Sequence, residues 1–257
     1  LYCHTLMARS GSNFNLAIRL LPPNLRKSMY AIYAYCRAAD DIADGSGSVP
    51  PDDPRIVEAL EDTIARHAIP KCYFDEILAG TRMDLTKRRY VTFEELTDYC
   101  YHVAGAVGLA SLHVFGFKDR AALRPAEDLG TAMQLTNILR DLKEDAARDR
   151  IYLPLEDLHR FAVKEGEILE GRLTRRFRSL LRFQVTRARD YFQKGRELFP
   201  YVSPAARRCP ILISSVYEAI LDRIEACDYD VYSRPLKLTA TQKLKLVHGA
   251  LSCTSSS

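Results

Sequence analysis

The sequence predicts an all-α fold, and three observations support that prediction. Apolar residues recur at helical spacing through most of the 257 residues. No segment alternates apolar and polar residues in the manner of a β-strand. Two segments carry aspartates four residues apart beside apolar or small residues of a helix. Because a chain of this length can bury one large core, we expect a single domain over residues 1–257, with a disordered tail at 254–257.

Composition narrows the classes of function. Hydrophobic residues make up 47% of the chain and charged residues 27%, as in ordinary globular proteins. The net charge of +4 favours an anionic substrate or a membrane surface and does not require nucleic acid. The seven scattered cysteines form no CxxC pair, which indicates reduced thiols in a cytoplasmic protein. No run of 18 apolar residues is present, so we expect no membrane-spanning helix.

Turn-forming residues divide the chain into a series of predicted helices. After an N-terminal helical turn they run at about 14–21, 25–44, 55–67, 71–85, 92–115, 119–145, 155–161, 165–169, 173–198, 204–226 and 236–251. Pro22 and Pro23 end the first, and the turn-rich stretch 45–54 ends the second. Gly105 and Gly108 lie inside a predicted helix, where glycine is unfavourable. Either a close helix crossing or space for a ligand would explain these two glycines.

The segment from Gln134 to Pro154, QLTNILRDLKEDAARDRIYLP, carries the strongest chemical signal. At helical spacing its polar residues fall within one narrow sector, which contains Gln134, Asn137, Asp141, Asp145 and Arg148. The neighbouring sector is apolar and would face the core. Carboxylates one turn apart repel each other unless a positive charge lies between them. A magnesium ion that also binds a phosphate is the simplest such charge.

A second helix repeats this spacing. Tyr33, Arg37, Asp40 and Asp44 share one face of the predicted helix 25–44. A lone Asp-x-x-x-Asp pair is usually a solvated helix face, but two pairs, each accompanied by an arginine (Arg37 or Arg140), predict a site for magnesium and a diphosphate. An apolar cavity beside it would shield a carbocation from water. This arrangement suits ionisation of an allylic diphosphate. The arginine-rich segment LTRRFRSLLRFQVTRARDYF is interpreted as a solvated helix face.

Four stretches resemble a known family. They are SGSNFNLAIRLLPPNLRKSMYAIYAYCRAADDIAD, RMDLTKRRYVTFEELTDYCYHVAGAVG, QLTNILRDLKEDAARDRIYLP and YEAILDRIEACDYDVYSRP. Together they resemble the squalene/phytoene synthase family of head-to-head prenyl synthases over nearly the whole chain. The resemblance implies the isoprenoid synthase fold, a single helical bundle around a central cavity.

The resemblance also implies roles for particular residues. The implied magnesium ligands are Asp40, Asp44, Asp141 and Asp145. The implied residues of the reaction zone are Tyr33, Tyr99, Tyr217, Gln134 and Asn137. The implied substrate contacts are Asn13, Phe14, Arg37, Arg140, Arg234, Val103 and Val107. Asn13 stands where the family commonly has serine, and we expect it to donate to phosphate as serine would. The span between the first aspartate motif and Pro70 is shorter than is usual in the family, by about one helix.

The sequences of these motifs are most similar to those of bacterial hopanoid-pathway enzymes. We therefore expect two farnesyl diphosphates to give presqualene diphosphate and then squalene or dehydrosqualene. The bulk of Ile18 and Tyr30, with Val107, would shorten the tunnel and favour that substrate. The alternative is a carotenoid-pathway phytoene synthase that uses geranylgeranyl diphosphate. A non-catalytic relative and a head-to-tail elongase are more distant alternatives, because all four aspartates are present and the second motif has the head-to-head pattern.

The expected cofactors and partners follow from this chemistry. Magnesium is expected, and a reductive last step would require NADPH, although no GxGxxG stretch is present. The water-insoluble product predicts a peripheral association of a cytoplasmic protein with the inner membrane. The oligomeric state is left open.

Overall fold

The computed structural model describes residues 2–10, 13–43, 50–233 and 235–252. Within these ranges the regular secondary structure is entirely helical. The extended pairings in the described residues are isolated bridges, which join Arg89 to Ile151 and Phe117 to Val202. The predicted all-α class is therefore confirmed.

The α-helices follow one another with short connections. They are α1 (Tyr2–Ser10), α2 (Asn13–Ile18), α3 (Pro23–Ala43), α4 (Pro54–His67), α5 (Cys72–Thr86), α6 (Phe93–Cys100), α7 (Ala106–Phe115), α8 (Leu123–Arg140), α9 (Leu142–Ala146), α10 (Leu155–Arg160), α11 (Glu165–Leu169), α12 (Arg175–Gly195), α13 (Arg208–Ala226) and α14 (Ala240–Ser252). A π-helical turn, Tyr101–Gly105, joins α6 to α7. Two 3₁₀ segments, Arg120–Ala122 and Arg196–Tyr201, precede α8 and follow α12.

Two predicted helices prove to be interrupted. The predicted helix 92–115 contains the π turn, whose extra residue breaks the regular helical spacing. The predicted helix 119–145 breaks at Asp141, where φ is −100° and ψ is 11°. As a result Asp145 lies on the separate five-residue helix α9, and the polar stripe from Gln134 to Arg148 does not lie on one continuous helix.

Helix α8 lies at the centre of the molecule. Most of its residues are buried, including Leu135, Ile138 and Leu139 of the predicted apolar sector. It packs against α12, α7, α13 and the π turn. A helix that is buried on nearly all sides belongs to the core, and here its neighbours are other helices. This packing explains why the strongest sequence motif occupies the middle of the fold.

Two glycines allow neighbouring segments to pack closely against α8. A Cβ atom on Gly130 of α8 would lie 2.5 Å from the Ala104 carbonyl oxygen of the π turn. A Cβ atom on Gly108 of α7 would lie 2.7 Å from the Ala126 carbonyl oxygen of α8. The close helix crossing expected at Gly108 is therefore present, and Gly108 also lines a cavity. Gly105 is buried within the π turn.

The arginine-rich segment forms α12, and its arginines make ion pairs near the surface. Arg178 pairs with Asp228 at 2.7 Å, and Arg189 pairs with Asp222 at 2.8 Å. These contacts agree with the interpretation of a solvated face, but Arg187 of the same helix departs from it, because its side chain is mostly buried and pairs with the buried Asp157 at 2.6 Å. None of the helices described here combines the length and apolar character needed to cross a bilayer. The described cysteines are all free thiols.

Gly130→Ala is expected to destabilise the protein. The added Cβ would meet backbone atoms of Ala104 and Gly105, and displacing backbone atoms costs free energy. We expect a loss of about 1–3 kcal/mol in the free energy of unfolding, as for other overpacked sites. Urea denaturation followed by circular dichroism would measure it.

Gly249→Ala is the matched control, since it makes the same change in a helix where no atom lies within 4 Å of the new Cβ. Alanine is favoured over glycine in a helix by about 0.5–1 kcal/mol, so this variant should be slightly more stable. Equal stability of the two variants would show that the approach of α8 to the π turn is not tight.

Candidate active site

An apolar tunnel of about 270 Å³ runs between α3, α7, α8 and α13. Its walls are mostly aliphatic and aromatic, with the backbone of the π turn exposed to it through Val103 and Ala104. The lining residues include Phe14, Ile18, Met29, Ile32, Val107, Gly108, Ser111, Phe115, Leu129, Met133, Leu198 and Ile213. Such a cavity suits a long hydrocarbon chain.

A larger, polar cavity of about 840 Å³ adjoins the tunnel, and we call it the vestibule. It is bounded by α9, by α13 and by the C-terminal segment 231–243. Its charged lining residues are Arg37, Arg140, Asp141, Lys143, Glu144, Lys237 and Lys243. Because cations outnumber carboxylates there, the vestibule suits an anionic group.

Four residues line both cavities and form the neck between them: Tyr33, Arg37, Asn137 and Tyr217. Phe14 lies beside the neck, with its ring centroid 6.4 Å from that of Tyr33 and 6.0 Å from that of Tyr217. The Asn137 side chain donates a 3.2 Å hydrogen bond to Gln134. Aromatic faces and amides therefore surround the point where an apolar tail would meet a polar head group.

Most of the predicted site residues lie at these cavities. Those on the tunnel are Phe14, Tyr33, Arg37, Asp40, Val103, Val107, Gln134, Asn137 and Tyr217. Those on the vestibule but not on the tunnel are Asn13, Arg140 and Asp141. Asp44, Arg234 and residues 45–49 of the 45–54 stretch lie outside the described residues.

Tyr99 and Asp145 line neither cavity. Tyr99 is buried, and its hydroxyl donates to Asp84 at 2.9 Å. It therefore does not face the neck as Tyr33 and Tyr217 do, and any effect of Tyr99 on the reaction must pass through its neighbours. Asp145 is half-buried on α9, between the vestibule residues and Asp84.

Of the three arginines named for phosphate binding, the two within the described residues are paired with carboxylates. Arg140 donates through Nε and Nη2 to the two oxygens of Asp141, at 2.7 and 2.6 Å. Burial works to lower the pKa of Arg140, but these hydrogen bonds and the charge of Asp141 raise it above its ordinary value. Arg37 pairs with Asp41 at 2.5 Å and is half-exposed. Both guanidiniums lie at the vestibule.

Burial and, next, the nearby charge of Asp141 raise the pKa of the Asp145 carboxyl to about 7. Arg150 and Arg148 oppose this shift, while Asp84 adds to it. A carboxylate that is desolvated and close to a like charge is destabilised in its ionised form. The repulsion expected from the Asp-x-x-x-Asp spacing is therefore present.

The residues fit a hard divalent cation. Asp141 and Asp145 supply carboxylate oxygens, and the buried Oδ1 atom of Asn137 has no hydrogen-bond partner among the described residues. Oxygen atoms of this kind are the ligands that magnesium prefers. Within the described ranges, no three acidic, histidine or cysteine side chains are gathered tightly enough to form a metal cluster.

Sequence reasoning missed Asp84 and Tyr152. The Tyr152 hydroxyl donates to Asp84 at 2.7 Å, and both residues act electrostatically on Asp145. One signal could have found Asp84: it is an acid in the last turn of α5, where the helix dipole disfavours negative charge. Lys143, Lys237 and Lys243 were also missed, and no motif spacing marks them.

Of the side chains expected to limit tunnel length, Ile18 and Val107 line the tunnel. Tyr30 is not among the tunnel residues, and its ring packs against His4 of α1 at a centroid distance of 4.9 Å. The prediction that Tyr30 limits the length of the tunnel is therefore wrong, because Tyr30 does not line it. Phe115, Leu198 and Ile213 also line the tunnel and were not anticipated.

Comparison with a family model decides the relationship. The model described as squalene/phytoene synthase matches residues 7–56 and 46–242. The chain belongs to the squalene/phytoene synthase family. The two matches overlap at residues 46–56.

Relatives named phytoene synthase align over nearly the whole chain. The phytoene synthase of Arthrospira platensis is 37% identical over 275 aligned positions, which cover 94% of this chain and 89% of that protein. The 15-cis-phytoene synthase of Synechocystis is 38% identical, covering 94% of this chain and 81% of that protein. The aligned length exceeds the 257 residues here, so these relatives contain residues without a counterpart in this chain.

Solved structures of squalene-type enzymes share the fold. A dehydrosqualene synthase in complex with a ligand superposes with a TM-score of 0.89 at 28% identity, over 100% of this chain and 96% of that one. The squalene synthase HpnC of Alicyclobacillus acidocaldarius superposes with a TM-score of 0.78 at 31% identity, over 88% and 93% of the two chains. The isoprenoid synthase fold is thereby confirmed.

Asp145→Asn is expected to stabilise the metal-free protein at high pH. The folded state holds the Asp145 proton up to about pH 7, whereas an unfolded aspartate releases it near pH 4. The folded state therefore binds more protons between these values, and its stability falls as the pH rises from 4 to 7. Removing the carboxylate should raise the free energy of unfolding by about 2 kcal/mol at pH 8, and by almost nothing at pH 4.

Thermal unfolding in EDTA at both pH values would measure this difference. Glu144→Gln, an exposed change on the same short helix, is the control and should show no such pH dependence. An equal effect of Asp145→Asn at pH 4 and pH 8 would contradict the burial of a repelled carboxylate.

Proposed function

We propose that this protein condenses two geranylgeranyl diphosphates head to head to form phytoene. Membership of the squalene/phytoene synthase family establishes the reaction class, head-to-head prenyl transfer. The tunnel, neck and vestibule support the proposal. An apolar chain would lie in the tunnel and a diphosphate in the vestibule, and aromatic side chains line the neck between them. The choice of substrate is supported by the curated relatives named phytoene synthase, which align over 94% of the chain.

The vestibule would hold the diphosphates. Arg37 and Arg140 present guanidiniums that match phosphate geometry, and Lys143 adds an ammonium group. Lys143 donates to the Tyr232 carbonyl oxygen at 2.9 Å, which ties it to the C-terminal segment. A diphosphate bound there would compete with Asp141 for Arg140.

Asp141, Asp145 and Asn137 would hold magnesium, with Asp40 and Asp44 contributing from the other aspartate motif. When bound, magnesium neutralises the diphosphate as a leaving group. Its charge would also relieve the repulsion that raises the pKa of Asp145. The arginines and lysine would thus bind the diphosphate directly, and the aspartates would bind it through magnesium.

The neck would protect the carbocation. After the first diphosphate leaves, the faces of Phe14, Tyr33 and Tyr217 would lie around the allylic cation and attract it. The 2,3-double bond of the second substrate attacks that cation, and loss of a proton closes a cyclopropane. Departure of the second diphosphate, rearrangement and loss of another proton then give phytoene without a reductant. The apolar tunnel wall excludes water, which would otherwise capture the cation.

A second candidate is the farnesyl reaction, which gives presqualene diphosphate and then dehydrosqualene or squalene. The TM-score of 0.89 to a dehydrosqualene synthase favours it, as does the bulk of Ile18 at the tunnel. Squalene would require a hydride from NADPH, whereas dehydrosqualene would not. The two candidates share the chemistry of the neck and differ in tail length.

Product analysis distinguishes the candidates. Purified protein would be incubated with magnesium and either geranylgeranyl or farnesyl diphosphate, with and without NADPH. Diphosphate products would be dephosphorylated, and the extracts separated by chromatography and identified by mass spectrometry. We expect phytoene from the longer substrate, independent of NADPH.

Asp141→Asn is the control for this assay, and its turnover should fall by at least about 100-fold because a ligand for the cation is weakened. Squalene or presqualene alcohol from the farnesyl substrate, with no phytoene, would establish the second candidate. The absence of any product would favour the non-catalytic relative.

We also propose that the protein associates peripherally with membranes from the cytoplasmic side, because its product would be insoluble in water. Exposed Leu244 and Leu251 of α14 lie on the same helix as Lys243 and Lys245. Apolar side chains beside lysines suit the surface of an anionic bilayer. Sedimentation with vesicles of anionic lipid at low salt should carry the protein down, and Leu244→Ser should reduce that fraction. Full recovery in the supernatant would contradict the proposal.

A further inference from the structure

Asp84 joins two parts of the chain that the proposed mechanism does not connect. It lies near the end of α5, and its carboxylate accepts hydrogen bonds from Tyr99 at 2.9 Å and Tyr152 at 2.7 Å. Its backbone carbonyl accepts a hydrogen bond from the Arg150 guanidinium at 3.1 Å. Both Tyr152 and Arg150 follow the second aspartate motif directly.

These contacts continue to Asp145. The backbone N–H of Arg150 donates to the Asp145 carbonyl oxygen at 2.9 Å. Arg150 and Tyr152 each interact electrostatically with the Asp145 carboxyl. A short path of contacts therefore leads from Asp84 through Arg150 and Tyr152 to Asp145.

Helix α8 alone does not determine where Asp145 lies. The helix ends at Arg140, and Asp145 lies beyond the break on a helix of only five residues. An isolated helix of that length has little stability of its own. The position of Asp145 relative to Asp141 therefore depends on what holds the residues that follow it.

The surroundings of Asp84 are rigid enough for this purpose. The rings of Tyr90, Tyr99 and Tyr152 lie with centroids 5.3–5.7 Å apart, and all three are buried. The backbone N–H of Ile151 donates to Arg88 at 3.0 Å, so the two segments are also joined by their main chains. Closely packed aromatic rings leave few alternative side-chain positions.

Asp84 is also electrostatically unfavourable where it stands. It adds to the negative charge around Asp145 and lies at the negative end of α5. An apolar residue would avoid both costs. A positioning role explains why the carboxylate is useful at this place.

We propose that Asp84 is a positioning residue, which holds Tyr152 and Arg150 so that Asp145 is kept in register with Asp141 for binding magnesium and diphosphate. This inference rests on the proposed function. It assigns to Tyr99 an indirect role as the second hydrogen-bond donor to Asp84.

The test compares Asp84→Asn, Tyr152→Phe and the double variant with the wild-type protein. Calorimetric titration with inorganic diphosphate at fixed magnesium concentration measures binding without turnover. Steady-state kinetics with the substrate that the wild type accepts gives kcat and KM. Thermal unfolding in EDTA reports stability separately. Asp75→Asn, an exposed change on the same helix α5, is the matched control.

We expect each single variant to weaken diphosphate binding by about tenfold and to lower kcat by about 10–100-fold, the range found for residues that orient metal ligands. The double variant should lose little more than Asp84→Asn alone, because both changes act on the same contact between residue 84 and the Tyr152 hydroxyl. Asp75→Asn should match the wild type in all three measurements.

Diphosphate affinity and kcat within twofold of the wild type in both single variants, with only lower thermal stability, would overturn the proposal and leave a purely structural role. If Asp84→Asn fails to fold, Tyr152→Phe still decides the matter, since it removes one hydroxyl from the same contact. If the wild type binds diphosphate but makes no prenyl product, the proposed function fails while the binding measurements still test the positioning of Asp145.

Discussion

The site depends on two carboxylates that are held close together against their mutual repulsion. Asp141 and Asp145 lie where the most deeply buried helix ends, and desolvation together with their mutual repulsion raises the pKa of Asp145 to about 7. Arg140 offsets the charge of Asp141 through two hydrogen bonds. Arg148 and Arg150 partly offset that of Asp145. The remaining strain is what a bound cation would remove, so the features that destabilise the empty protein favour its ligand.

Helix α8 links recognition of the tail to chemistry at the head. Its middle residues, such as Met133, line the apolar tunnel, while Asn137 and Arg140 reach the vestibule. Small residues permit this arrangement, because Gly130 allows the π turn to approach α8 and bring Val103 and Ala104 to the tunnel wall. The same helix therefore fixes the distance between the apolar binding site and the polar one. A shift of α8 would displace both together.

The similarity to phytoene synthases and the likeness to squalene-type structures both extend over nearly the whole chain. In the proposed function, the neck, with Tyr33, Asn137 and Tyr217, would carry the chemistry common to both products. Tail length would then depend on the side chains that line the tunnel, among them Phe115 and Leu198. The same fold could accommodate either product, because exchanging a few lining side chains alters the space in a cavity without moving a helix.

The sequence by itself determined the all-α class, the family and the polar stripe of Gln134, Asn137 and Asp141, because helical periodicity and local motifs depend on residues close together in the chain. Its prediction of one unbroken helix through Asp145 failed, since α8 ends at Arg140 and Asp145 lies on the separate helix α9. Only the tertiary structure showed that Tyr99 points to Asp84, that Tyr30 faces α1 and that Lys237 reaches the vestibule. These contacts join residues far apart in the chain, and no spacing rule encodes them.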